Sequence, residues 1–146
     1  MRSLGCALFL AAALVSFASV PSAAGDPQTQ TAAETATQFY LRWRSTALNA
    51  KSVDEITAFW TAEVRDEFNM EPDSAKADTL PMVKRVFAMQ TDVRVVKEIA
   101  TPSGATLSLE ALDRDRKPIV TSVDVARENG AWKMTGAVER WKPKGN

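Results

Sequence analysis

Between about residue 32 and residue 90, apolar side chains recur every three or four positions; from residue 91 onward they recur every second one. The change of period divides the chain into a helical part and a strand part. Ala36, Phe39, Tyr40, Trp43, Ala47 and Ala50 form one stripe of an amphipathic helix predicted over about 32–50, with Gln38, Arg42, Arg44 and Asn49 elsewhere on the wheel. Ser52 and Glu55 have the spacing of a capping box. The stripe Val53, Ile56, Trp60, Val64 and Phe68 then predicts a second helix, which Thr61 divides into two short pieces. Residues 69–74 read as a loop. A third helix is expected over 79–89, with Pro81 in its first turn and Leu80, Val83, Val86 and Phe87 on its apolar side.

The strand part is a succession of alternating runs. Val93, Val95 and Ile99 alternate with Arg94 and Glu98, although Val96 and Lys97 disturb the pattern. After a turn at 102–104, Ala105, Leu107, Leu109 and Ala111 alternate cleanly with Thr106, Ser108 and Glu110. A turn at 113–117 leads to Ile119, Val123 and Val125, opposite Ser122 and Asp124. Asn129-Gly130 supplies the positive φ of a tight hairpin. Trp132, Met134 and Val138 then line a fourth strand against Lys133, Thr135 and Glu139, and 142–146 is a polar tail. Helices first and consecutive antiparallel strands afterwards predict an α+β domain over 32–141, three helices packed on a curled sheet of about four strands.

The segment before residue 32 has a different character. Arg2 precedes an uncharged apolar run over 4–15, Pro21 follows, and Ser22 and Ala24 are the small residues a signal peptidase accepts. Residues 1–24 are therefore expected to be a cleavable signal peptide and 25–31 a polar leader. The run is shorter than the ~20 residues of a spanning helix, so no stable membrane anchor is expected after cleavage. Cys6, the only cysteine, sits at the start of the apolar run, where a lipidated cysteine would not, and leaves with the peptide. The domain then has no thiol and depends on its core for stability. A periplasmic or secreted location follows.

Eighteen Lys and Arg balance eighteen Asp and Glu, with alternating signs, so neither a nucleic-acid footprint nor a polybasic patch is predicted. The chain has no histidine. That removes the usual general base near neutrality and the commonest metal ligand. No metal site, cofactor or catalytic set is expected from these residues.

The helix–helix–helix–meander order, the Ser52-Val53-Asp54-Glu55-Ile56 segment and the closing Asn129-Gly130-Ala131-Trp132-Lys133-Met134 resemble the nuclear transport factor two-like superfamily, in particular its small exported bacterial domains of unknown function. The resemblance spans about 32–141 and implies a cone of helices around a bent sheet, enclosing a pocket. It also implies a range of roles, since some branches are isomerases, cyclases or dehydratases and others bind ligands or assemble complexes. Tyr40 is the one position where the resemblance to the steroid isomerases carries over a hydrogen-bond donor. No carboxylate base accompanies it, because Glu98, Glu110 and Asp124 fall opposite the apolar strand face and Asp113 lies in a turn.

Candidate pocket residues are Tyr40, Trp43, Trp60, Phe87, Trp132 and Met134. Arg127 and Arg140, which share the core parity with Lys97 and Thr121, are candidates for the cavity mouth. Trp141 has the opposite parity and is expected at the surface. The sequence points to a non-enzymatic module that binds a small apolar ligand or a protein partner. A cofactor-free isomerase, cyclase or hydratase acting on an apolar substrate is the alternative, and a homodimer through the sheet face a third outcome. A deep cavity with an inward carboxylate beside Tyr40 would mark the enzyme.

Overall fold

A computed structural model describes residues 34–136 and 139–145 of the chain. The expected signal peptide, the leader and the start of the expected first helix lie outside the described residues, as does Val138. The described residues form an α+β fold in which four helices precede an antiparallel sheet: α1 (Ala36–Asn49), α2 (Asp54–Thr57), α3 (Ala62–Met70), α4 (Asp73–Ala88), β1 (Thr91–Thr101), β2 (Gly104–Leu112), β3 (Pro118–Glu128), β4 (Ala131–Met134) and β5 (Lys142–Pro143). The sheet is open, in the order β1-β2-β3-β4, with β5 also paired to β3. No helix among the described residues is long and apolar enough to cross a membrane.

Helix α1 is the centre of the packing, touching α2, α4, β1, β2 and β4. Its start is fixed by a capping box: Thr35 accepts from the Gln38 amide and the Gln38 side chain accepts from the Thr35 amide. The predicted stripe is buried throughout. Trp43 meets Phe87 of α4 edge to face at 5.0 Å between ring centroids, and Trp60 meets Phe68 in the same manner at 5.4 Å.

The second stripe is divided at Thr61 as expected, its hydroxyl accepting from the Val64 amide at 3.4 Å to cap α3. The Ser52 box is only half formed. Glu55 returns to the Lys51 and Ser52 amides, but the Ser52 hydroxyl does not reach the Glu55 amide. The expected loop at 69–74 shrinks to the Glu71-Pro72 junction, because α4 begins at Asp73. Pro81 consequently lies inside α4 rather than in its first turn. Pro81 and Ala77, whose carbonyl loses its helical donor there, are both exposed, which lowers the cost of the missing N–H.

In β2 the alternation holds over its whole length, with Ala105, Leu107, Leu109 and Ala111 buried. In β3 Thr121, Val123 and Val125 turn the same way. Strand β1 departs from the reading. Val95 faces Leu109 and Lys97 faces Ser108, so Val96 is an inserted residue and a bulge. Beyond it the parity reverses: Lys97 and Ile99 pair with the outward Ser108 and Thr106, and Glu98 lies opposite buried Leu107. Glu98 therefore faces the helices, not solvent alone, and its carboxylate accepts from the Thr37 amide at 3.1 Å and hydroxyl at 2.6 Å at the start of α1. An acid at a helix N-terminus complements its dipole.

The fourth strand also ends early. Asn129 and Gly130 take positive φ (50° and 81°) and make the hairpin, but β4 stops at Met134. There Met134 donates to the Phe59 carbonyl and accepts from the Thr61 amide, so the α2–α3 junction covers the outer edge of β4. The chain leaves β3 at Thr135 and returns at Lys142–Pro143, opposite Ile119 and Val120. Residues 142–143 are thus a short strand, a correction to the expected tail.

Candidate functional site

Where the chain leaves the sheet, it buries a carboxylate. Glu139 accepts from the Tyr40 hydroxyl at 2.6 Å and from the Trp141 indole N–H at 2.7 Å, and lies 3.7 Å from the Arg44 guanidinium. Its side chain is 2 % exposed. Arg44 donates to the Phe87 carbonyl at 2.9 Å and stacks on the Phe87 ring. Desolvation raises the Glu139 pKa above the ordinary carboxyl value, against the opposing pull of Tyr40, Arg44 and Trp141. Burial likewise pushes the Tyr40 hydroxyl upward, with the adjacent carboxylate adding to it, so Tyr40 remains a proton donor at any moderate pH.

This inward acid corrects two readings. Glu139 was expected opposite the core face, on the assumption that β4 continues past Met134; the departure at Thr135 breaks that parity. Arg44 was placed elsewhere on the wheel, yet it follows Tyr40 by four residues and shares its face. The Thr135-Gly136 step was the available signal, since glycine weakens a strand interior.

Outside Glu139 lies a cleft of about 660 Å³, formed along the stretch of β3 between its pairing with β5 at Ile119–Val120 and its pairing with β4 from Val125. Outward-facing Ser108, Ser122 and Asp124 line its sheet side, and Thr135, Arg140 and Lys142 its other side. Glu139 and Met134 border it from within. Two side chains pin the departing segment: Thr121 donates to the Arg140 carbonyl at 2.8 Å, and Thr135 to the Asp124 carbonyl at 2.7 Å. The cleft thus presents hydroxyls, carboxylates and the cations of Arg140 and Lys142 beside apolar Val96 and Val120, over an acid that accepts two hydrogen bonds and has a guanidinium 3.7 Å away.

Comparison adds nothing to this geometry. No family model, no curated protein and no solved structure matches the chain.

The sequence-predicted residues separate into three groups. Tyr40, Trp43, Trp60 and Phe87 come together, but inside the core, each at most 1 % exposed, filling the space the expected cone pocket would occupy. Trp132 stands apart, half-buried, its indole donating to the Glu34 carbonyl at 2.7 Å. Met134 is buried and borders the cleft. Of the mouth candidates, Arg140 is exposed and lines the cleft, contrary to its expected inward parity. Arg127 does not join it: exposed, it stacks at 3.9 Å on the Trp132 ring and donates to the Gly130 carbonyl. Trp141, expected at the surface, is half-buried against Glu139. Among the described residues no group of acids is placed to hold a metal ion.

Proposed function

We propose that this is an exported ligand-binding domain of the nuclear transport factor two-like type, holding a small hydroxyl-bearing ligand in the cleft beside β3 without transforming it. Export is supported by the sequence of residues 1–24, and the superfamily by the order of helices and meander. One observation carries the binding reading: the cleft has room for a small molecule, whereas the aromatic side chains that would line an apolar pocket are buried against one another. Both oxygens of Glu139 already accept from internal donors, which argues against that acid working on a bound molecule.

Thermal-shift and calorimetric titration with three ligand classes (sugars and polyols, amino acids, and fatty acids or sterols) tests the reading. Stabilisation by a member of the first class is expected, and Ser122→Trp, which fills the cleft from an exposed position, should abolish it. Stabilisation by apolar compounds alone, or binding that survives Ser122→Trp, overturns the assignment.

A second reading, a cofactor-free isomerase, cyclase or hydratase, is favoured by one feature: a carboxyl with raised pKa borders the cleft, hydrogen-bonded to Tyr40. Nuclear magnetic resonance of the bound compound separates the two. Conversion that Glu139→Gln stops while leaving affinity unchanged supports catalysis; an unaltered compound supports binding.

A further inference from the structure

On the helical side of the Thr135-Gly136 step, which also borders the cleft, helices α3 and α4 leave a groove of about 560 Å³. Trp60, Val64 and Phe68 contribute its apolar floor together with Met82. Glu67, Glu71 and Asp78 stand along it. No residue of α3 is fully buried, and its apolar stripe, Val64 and Phe68, is only half covered. Met82 remains 44 % exposed, and Met70 at the end of α3 is 79 % exposed. An amphipathic helix with its apolar stripe half covered still has area to bury, and methionines adapt to different partner surfaces. The indole N–H of Trp60 is buried with no acceptor among the described residues.

The charge of this region is one-sided. Between residues 62 and 79, Glu63, Asp66, Glu67, Glu71, Asp73 and Asp78 face only Arg65 and Lys76, in a chain of zero formal net charge. Counted over the whole chain the signs balance; over this segment they do not. An acidic rim disfavours nucleic acid and anionic bilayer surfaces, both of which carry the same sign. It complements a cation. Three carboxylates on α3, at the α3–α4 junction and on α4, beside an apolar floor, match an extended ligand with several positive charges rather than a single ammonium group.

The geometry points to this groove as the docking site for a cationic amphipathic helix of a partner protein. Its apolar face would lie over Val64, Phe68 and Met82, and its lysines or arginines would flank that face opposite Glu67, Glu71 and Asp78.

Fluorescence anisotropy with a labelled synthetic Leu/Lys peptide of helical periodicity tests this on the whole protein. Saturable binding that weakens as salt rises is expected. The triple charge reversal Glu67→Lys, Glu71→Lys, Asp78→Lys should weaken it at least about tenfold. Met82→Ser should weaken it as well, without changing the salt dependence. All four positions are exposed, and unchanged melting temperatures establish that the variants are folded. Failure of the peptide to bind overturns the inference. So does equal binding of a Leu/Glu peptide, of a scrambled Leu/Lys peptide lacking an apolar face, or by the charge-reversed protein. Binding of dodecyltrimethylammonium with no binding of the peptide assigns the groove to small cations and also overturns it.

Discussion

At the scale of single residues, the molecule turns on how Tyr40, Arg44, Glu139 and Trp141 satisfy one another. A buried ion pair is costly to desolvate and contributes chiefly when every lone pair and proton is used. Here Glu139 has two hydrogen-bond donors and a guanidinium at 3.7 Å. Tyr40→Phe keeps the ring in the core and removes one of those donors. A loss of about 1.5–3 kcal/mol is expected, as for a hydrogen bond to a charged group, read by denaturant unfolding near neutral pH. The pH dependence has a definite sign. Because burial raises the Glu139 pKa from its ordinary 4.5, the folded protein holds that proton more tightly than the unfolded chain. Its contribution is fullest below 4.5 and declines as pH rises through the raised folded value. Measured against Glu139→Gln, wild-type stability should fall across that window and level off above it; a difference that grows with pH would contradict the assignment.

At the scale of elements, period and turn chemistry were legible where strands and helices run uninterrupted. Strand β2, the hairpin at Asn129-Gly130, the division at Thr61 and the stripe of α1 were all readable, since each follows from local sequence. The disturbance at Val96 was visible but its consequence was not, because an inserted residue reverses parity without altering composition, and Glu98 moved with it. Nor was the end of β4 at Met134, which is imposed by the α2–α3 junction, a contact between segments more than seventy residues apart. Glu139 was missed because β4 ends early; Arg44, on the readable face of α1 four residues after Tyr40, was missed because its place on that face was misread.

Gly104 illustrates the same dependence on neighbours. It lies at the start of β2 opposite Ala126, and a Cβ there would collide with the Val125 carbonyl oxygen. Backbone, not a flexible side chain, is what it would strike. Gly104→Ala should cost about 3 kcal/mol by disturbing the β2–β3 ladder, measurable as a lowered denaturation midpoint. Gly136→Ala, which meets nothing within 4 Å, is the matched control.

At the scale of the whole molecule, stability rests on aromatic packing, because Cys6 is the only thiol in the chain. Trp43 contacts Tyr40 and Phe87 and is 1 % exposed. Trp43→Ala should cost about 3–5 kcal/mol and lower the melting temperature accordingly. Export is testable directly: the protein recovered outside the cytoplasm is expected to begin at Gly25, and sequencing its N-terminus gives the answer.

The 99-residue span between Tyr40 and Glu139 bears on how the polypeptide is made. A ribosome finishes α1 long before it reaches the acid that completes α1's interior, so the nascent molecule lacks the carboxylate partner of the Arg44 guanidinium and the Tyr40 phenol until residue 139 emerges. Maturation is thereby tied to the synthesis of residue 139, and any product cut short of it should be cleared by quality-control proteases.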